Sequence, residues 1–135
     1  IMSSTVKDNI TFTLPFSEQK FERSTYYASF QKDLEVMTDG IQTQIGEKGV
    51  NLSGGQKARI SLARALYSNR DIYLLDDVIS AVDVHVGKFL MKETIVDYLR
   101  GKTVVLATHA ISFAEYADEI IIMKKGKIIQ KGPYD

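Results

Sequence analysis

Residues 51–67 read NLSGGQKARISLARALY, and they decide how the rest of this chain is interpreted. A small polar turn is followed by apolar residues at helical spacing, which predicts an amphipathic helix. Ser53 stands at the capping position, and with Gln56 it fits the S-x-x-Q capping box. A capping box by itself indicates only where a helix begins.

Two adjacent glycines, Gly54 and Gly55, occupy the first turn of this predicted helix. Each costs about 1 kcal/mol relative to alanine inside a helix, so helix stability does not favour the pair. The open N–H groups at a helix start carry a partial positive charge and bind anions readily. The sequence therefore predicts that a ligand, with an anion as the candidate, closely approaches the backbone of this turn.

A strand–helix–strand pattern follows the glycine-bearing helix. Residues 71–76 and 103–107 are short apolar runs without alternation, which is typical of parallel strands buried on both faces. The apolar spacing of residues 84–99 predicts a crossover helix between them.

Three ionisable side chains stand at the ends of these two strands. Asp76 and Asp77 end the first strand, and His109 comes shortly after the second. In open α/β sheets, ligands bind beyond the carboxyl ends of the strands. The carboxylates and the histidine, more than 30 residues apart in the sequence, are therefore expected at one sheet edge.

The remaining segments are less informative. Residues 5–14 are mixed and polar, and Pro15 then breaks the chain. Helices are predicted at residues 17–30, 32–37 and 111–117, and further strands at 119–123 and 127–130.

The composition limits the classes of protein that need to be considered. With 135 residues, 44% of them hydrophobic, the chain can form one modest core. The absence of cysteine excludes disulfides and cysteine-based metal sites. Lys+Arg and Asp+Glu both number 17, so no net charge attracts nucleic acid, and no nucleic-acid partner is expected.

The string LSGGQKARISLARAL resembles the signature motif of ATP-binding-cassette (ABC) ATPases. In that family the motif touches the γ-phosphate of an ATP held by a partner domain. Further landmarks follow in the family's order. Residues 72–76 resemble the Walker B strand, with Asp77 in the position of the catalytic carboxylate. Residues 80–83 resemble the D-loop, and residues 108–109 resemble the H-loop.

The resemblance implies an α/β fold, the P-loop NTPase-like (RecA-like) ABC ATPase core, present in part with its helical signature subdomain. Residues 1–70 would form the helical subdomain and its lead-in, and residues 71–135 the C-terminal part of the ATPase core. A P-loop is missing, since Gly101-Lys102-Thr103 imitates only its end and precedes a strand. The chain is therefore expected to be a fragment, inactive by itself.

The resemblance also implies ATP and Mg²⁺ as ligands and assigns roles to particular residues. Asp76 suits water-mediated Mg²⁺ binding, because magnesium keeps most of its waters. Asp77 and His109 would be catalytic, the first orienting the attacking water and the second contacting the γ-phosphate. The ATP-binding residues would be Ser53, Gly54, Gly55 and Gln56. Two cassettes would meet at the D-loop residues Ser80, Ala81, Val82 and Asp83.

Asp77 departs from the family's usual pattern, which places glutamate at this position. Aspartate is one methylene shorter, and a misplacement of about 1 Å can cost on the order of 10²-fold in rate. We predict that the site built on Asp76 and Asp77 binds ATP but hydrolyses it slowly. A backbone adjustment that restores the reach is the alternative.

Residues 11–16 and 45–51, before the signature, are similar to the first nucleotide-binding domain of C-type transporters, the multidrug-resistance-associated class. This resemblance implies export of organic anions or conjugates. The partners would be a second nucleotide-binding domain and transmembrane domains, at the cytoplasmic face of a membrane. Two alternatives stay open: a regulatory nucleotide-binding domain of an ABC-type channel or channel regulator, and a soluble ABC ATPase of DNA repair or translation.

Overall fold

The structure, a computed structural model, describes residues 1–47 and 49–135. Its α-helices are α1 (Val6–Thr11), α2 (Glu18–Tyr27), α3 (Gln31–Val36), α4 (Gly54–Ser68) and α5 (Val84–Phe89). Its strands are β1 (Ser4–Thr5), β2 (Gln44–Ile45), β3 (Ile72–Asp76), β4 (Thr103–Ala107), β5 (Ile120–Lys124) and β6 (Lys127–Gly132). Short 3₁₀ helices cover Gly40–Gln42 and Ile111–Tyr116.

Helix α4, the predicted helix after the glycine pair, is central to the core. Its apolar face packs against α1 and α2. The fully or almost fully buried side chains of this helix are Ile60, Leu62, Ala63, Leu66 and Tyr67. The Tyr67 hydroxyl accepts from the Ser17 N–H at 2.9 Å and donates to the carbonyl of Pro15. These bonds tie the segment before α2 to the centre of the molecule.

Helix α1 lies in the mixed, polar segment for which the sequence analysis identified no helix. Thr5 caps the helix by accepting from the Asp8 N–H at 3.0 Å. Val6 and Ile10 are fully buried, and so is Asn9, whose amide donates to the carbonyls of Met2 and Thr5. Asn9 is polar, so a hydrophobicity pattern assigns it to the exposed face of a helix, although its internal hydrogen bonds allow it to be buried. In a short helix, one such residue is enough to hide the apolar periodicity.

Strands β3 and β4 are parallel and in register, from Ile72 opposite Thr103 to Asp76 opposite Ala107. The expectation of burial on both faces is not met. Side chains alternate along β3: Leu75 is 5% exposed, whereas Leu74 is 77% exposed. The core of this chain reaches one face of the two-stranded sheet and leaves the other uncovered.

The predicted crossover helix between β3 and β4 is present over residues 84–98, but its winding changes along its length. Helix α5 continues as a π-helix over Leu90–Tyr98. In that part the buried Thr94 hydroxyl donates to the carbonyl of Tyr27, and Tyr98 stacks on Tyr27 with ring centroids 3.9 Å apart. These contacts hold the crossover helix against α2.

A turn precedes β4. This agrees with the interpretation that Gly101-Lys102-Thr103 only imitates the end of a P-loop. Gly101 has φ +85°, a left-handed conformation that favours glycine. The Lys102 ammonium pairs with the Asp71 carboxylate at 3.3 Å, and the Thr103 N–H donates to the Asp71 carbonyl at 2.9 Å. This segment starts a strand and is no phosphate-binding loop.

Strands β5 and β6 form an antiparallel hairpin with an irregularity between Ile122 and Met123. Both Lys125 and Gly126 have positive φ, as the favoured two-residue hairpin turn requires. The two strands therefore confirm the predicted hairpin. Most of their side chains are exposed.

Candidate functional site

The predicted capping box at the start of α4 is present. The Ser53 hydroxyl accepts from the Gln56 N–H at 3.1 Å, and the Gln56 side-chain carbonyl accepts from the Ser53 N–H at 2.9 Å. Within the part of the chain that the structure describes, the N–H groups of Gly54 and Gly55 have no acceptor. Two open amides thus remain at the N-terminus of a 15-residue helix, which is suitable geometry for an anion.

The two glycines of this turn have different surroundings, although sequence reasoning treated them alike. A Cβ on Gly54 would meet no atom within 4 Å. A Cβ on Gly55 would lie 2.5 Å from the Ala81 carbonyl oxygen and 3.1 Å from an Arg59 guanidinium nitrogen. Gly55 is therefore required by the packing of the chain itself, whereas Gly54 is open to a ligand.

The side chain of Gln56 is bonded within the chain at both ends of its amide. Its Nε2 donates to Asp33 Oδ1 at 3.1 Å, while Oε1 serves the capping box. Arg59 Nη2 binds both oxygens of the same carboxylate, at 3.1 and 3.3 Å. Arg59 therefore acts inside the domain. Sequence reasoning missed Asp33, because it lies 23 and 26 positions from its two partners.

The second part of the candidate site is the carboxyl end of β3 and β4. The Asp77 N–H donates to the Ala107 carbonyl at 2.8 Å, which extends the strand pairing by one residue. His109 follows on the adjacent loop with an exposed side chain, and the Thr108 hydroxyl accepts from the Ala110 N–H at 3.0 Å. The structure thus brings the carboxylates and the H-loop segment to one sheet edge, as predicted.

Asp77 carries a buried carboxylate oxygen, Oδ1, with no hydrogen-bond partner in residues 1–47 and 49–135. Leaving such an atom unsatisfied is costly, so its natural partner is a group from outside the chain. The neighbouring Asp76 side chain is exposed. The unpaired oxygen of Asp77 and the accessible carboxylate of Asp76 would suit an ordered water and a hydrated Mg²⁺.

No cluster of three or more His, Cys, Asp or Glu side chains exists among the described residues. A cation at this edge would therefore take most of its ligands from water and from phosphate oxygens. That is the coordination which Mg²⁺ prefers when it is bound together with a nucleotide.

Residues 80–83, which resemble the D-loop, connect the two parts of the site. The Ser80 hydroxyl donates to the Asp77 carbonyl at 3.1 Å, and the Ala81 carbonyl lies against Gly55. Val82 is half-buried. Asp83 accepts from the Val86 N–H at 2.9 Å and caps α5; this hydrogen bond, with smaller contributions from the charges of His85 and Arg59, lowers the pKa of Asp83.

Comparison with known proteins agrees with this arrangement. The family described as ABC transporter matches residues 2–80, more than half of the chain. The chain belongs to the ABC transporter family, whose nucleotide-binding domain has the P-loop NTPase fold.

Individual relatives narrow the class. The chain is 47% identical over its whole length to multidrug resistance protein mrp-7 of Caenorhabditis elegans. It is 48% identical to ABC transporter C family member 5 and 50% identical to member 6 of Arabidopsis thaliana, over 100% and 99% of the chain. The resemblance to a C-type nucleotide-binding domain is thereby confirmed. The chain spans 9% of the length of each of these relatives.

None of the helices in residues 1–47 and 49–135 has the length and apolar character that crossing a membrane requires.

Proposed function

We propose that this chain is part of the first nucleotide-binding domain of an ABC transporter of the multidrug-resistance-associated class. In that role it couples ATP to the export of organic anions or conjugates. The relatives, a multidrug resistance protein and a C-family ABC transporter, favour this role over a channel regulator or a repair ATPase. The single observation that carries the proposal is the start of α4, where the N–H groups of Gly54 and Gly55 have no acceptor in the described residues and Gly54 is open to a ligand.

The start of α4 would contribute to a composite ATP site completed by a second nucleotide-binding domain. Ser53 and the two open amides would contact the γ-phosphate of an ATP held mainly by that partner. The dipole of a 15-residue helix adds to the attraction for phosphate. Because Gln56 is engaged within the chain, its contribution would be to hold Ser53 and the turn in place.

The edge of β3 and β4 would belong to the other, less competent site. Asp76 would hold Mg²⁺ through water, and the metal would neutralise phosphate charge. Asp77 would orient the attacking water, and His109 would contact the γ-phosphate. The carboxylate of Asp77 is short, and its backbone is held by Ala107, so we expect slow hydrolysis there.

The remaining partners follow from the same proposal. The D-loop residues 80–83 would lie where the two nucleotide-binding domains meet. Transmembrane domains of the same transporter would use the closure of that sandwich, so the chain would act at the cytoplasmic face of a membrane.

ATP turnover of the full-length transporter tests the proposal. Gly54→Asp places a carboxylate at the open amide, and we expect it to reduce turnover by about 10²-fold or more, since it repels phosphate. Asp77→Asn should leave turnover close to that of the wild type. If Asp77→Asn abolishes turnover as well, Asp77 is a working catalytic base and the assignment of unequal sites is wrong.

A further inference from the structure

Asp33, in the first turn of α3, lies at the centre of a small polar cluster beside the signature helix. Its carboxylate accepts from Gln56 Nε2 at 3.1 Å and from Arg59 Nη2 at 3.1 and 3.3 Å. The side chains of Arg59 and Asp33 are only 13% and 18% exposed. Such charge-assisted bonds away from bulk water are stronger than those of surface ion pairs.

The bond to Gln56 fixes the orientation of an amide that is part of the capping box. With Nε2 held by Asp33, Oε1 faces the Ser53 N–H, which it binds at 2.9 Å. Without Asp33 nothing else in the described chain holds Nε2, so the amide is restrained only by its bond to the Ser53 N–H and becomes more mobile. Because Ser53 and Gln56 are bonded reciprocally, the whole turn loosens with it.

The bond to Arg59 reaches the other side of the same turn. An Arg59 guanidinium nitrogen lies 3.1 Å from the position that a Cβ on Gly55 would occupy. Asp33 therefore restrains the helix start from two directions, through Gln56 and through Arg59. If Asp33 is removed, a largely buried guanidinium is left without its counter-charge, which favours its displacement from this position.

We propose that Asp33 is a positioning residue of the signature motif, which holds Ser53 and the open amides of Gly54 and Gly55 in the geometry that binds phosphate. The inference rests on the proposed function, because it assigns a support to the same site. Asp33 does not touch the nucleotide; it acts through Gln56 and Arg59.

The test is a double-mutant cycle in the full-length transporter, with ATP turnover as the readout. We expect Asp33→Ala to lower kcat by about 10-fold and to change the KM for ATP by less than about 2-fold, since the partner domain holds most of the nucleotide. Gln56→Ala should have a similar effect. The kcat of the double variant should be at most about 2-fold below that of the slower single variant, because the two residues act as one unit.

Two further variants separate positioning from a general loss of stability. Asp33→Asn keeps an acceptor for Gln56 but removes the charge that binds Arg59, so it should fold and lose less activity than Asp33→Ala. Asp97→Ala is the matched control, because Asp97 also pairs with an arginine, Arg100 at 3.2 Å, and both side chains are exposed at the end of the crossover helix. It should leave kcat within about 2-fold of the wild type.

The outcomes are distinguishable. A wild-type transporter without ATP turnover would overturn the proposed function and the inference with it. Normal turnover in the wild type with wild-type kcat in Asp33→Ala would overturn the inference alone. The inference would also be overturned if the reductions in kcat caused by Asp33→Ala and Gln56→Ala multiply in the double variant. If Asp33→Ala does not fold, a cycle of Asp33→Asn with Arg59→Ala decides, because Asp33→Asn removes the charge that binds Arg59. Effects of these two substitutions that multiply in the double variant overturn the inference.

Discussion

At the scale of single residues, the conformation of Asp77 determines what its carboxylate can reach. The residue has φ +56°, in the left-handed region that aspartate tolerates better than most residues. Its N–H is held by the Ala107 carbonyl at 2.8 Å, so the backbone has little freedom to bring the carboxylate forward. This favours the interpretation that the Asp77 carboxylate is too short to reach the attacking water well. It speaks against the alternative in which a backbone adjustment restores that reach.

The two glycines of the signature turn offer a matched comparison at the same scale. Gly55→Ala forces its Cβ to within 2.5 Å of the Ala81 carbonyl, and such overpacking costs about 1–3 kcal/mol. Gly54→Ala meets no atom within 4 Å, so the free energy of unfolding should be unchanged or slightly higher. Thermal unfolding of the nucleotide-binding domain measures both changes.

ATP turnover should show a different pattern from stability for these two variants. The methyl group of Gly54→Ala stands where phosphate is expected to approach, so turnover should fall although the fold is intact. Equal destabilisation by both substitutions would contradict the different surroundings of the two glycines. Full turnover in Gly54→Ala would contradict a ligand at this turn.

At the scale of elements, the start of α5 depends on the charge of one carboxylate. The hydrogen bond from the Val86 N–H lowers the pKa of Asp83 below its ordinary value of 3.8. A lowered carboxyl pKa stabilises the folded state above the ordinary value, and this contribution is lost as the pH falls through the lowered pKa. The cap of α5 should therefore weaken only at a pH below this ordinary value.

The amide chemical shift of Val86, followed by NMR between neutral and acid pH, tests this cap. It should titrate with a midpoint below 3.8, the ordinary value for aspartate. Asp83→Asn keeps an oxygen acceptor without the charge, so its Val86 amide should show no such titration. A midpoint at or above the ordinary value would show that Asp83 does not cap the helix in solution.

At the scale of the whole molecule, burial is distributed unevenly along the chain. The hydrophobic core extends from Val6 to Leu99 and is built around α4. Every residue from Arg100 to Asp135, all of which the structure describes, is exposed or half-buried. The β5–β6 hairpin therefore depends mainly on its own backbone hydrogen bonds, and an isolated hairpin is only marginally stable in water.

Native-state hydrogen exchange of the 135-residue chain should separate these two regions. Amides of β5 and β6 should exchange through local opening, at a lower free energy than the buried part of α4 around Ile60 and Leu66. The antiparallel pairing should still protect them more than the residues of open loops. Equal protection of the hairpin and α4 would show that the hairpin unfolds only together with the core.

Local patterns in the sequence were sufficient for several elements and for one edge of the site. The capping box and the apolar spacing behind it located α4, and short apolar runs located β3 and β4. A parallel arrangement then required Asp76 and Asp77 to share an edge with His109. These predictions succeeded because the capping, periodicity and strand direction on which they depend act over a few residues or follow from topology.

Other features depend on contacts between distant parts of the chain, and only the tertiary structure decided them. Helix α1 was missed because the polar Asn9 is buried in it, and Asn9 Oδ1 accepts from Arg64, 55 positions away. Burial on one face of β3 reflects which surfaces the core reaches, and apolar composition does not carry that information. Gly54 and Gly55 are neighbours of one type, yet only Gly55 faces Ala81. The sequence by itself thus determined the family, helix α4 and the shared sheet edge. The tertiary structure decided which residues support them. A carboxylate such as Asp33 meets its partners, 23 and 26 positions away, only once the helices have packed.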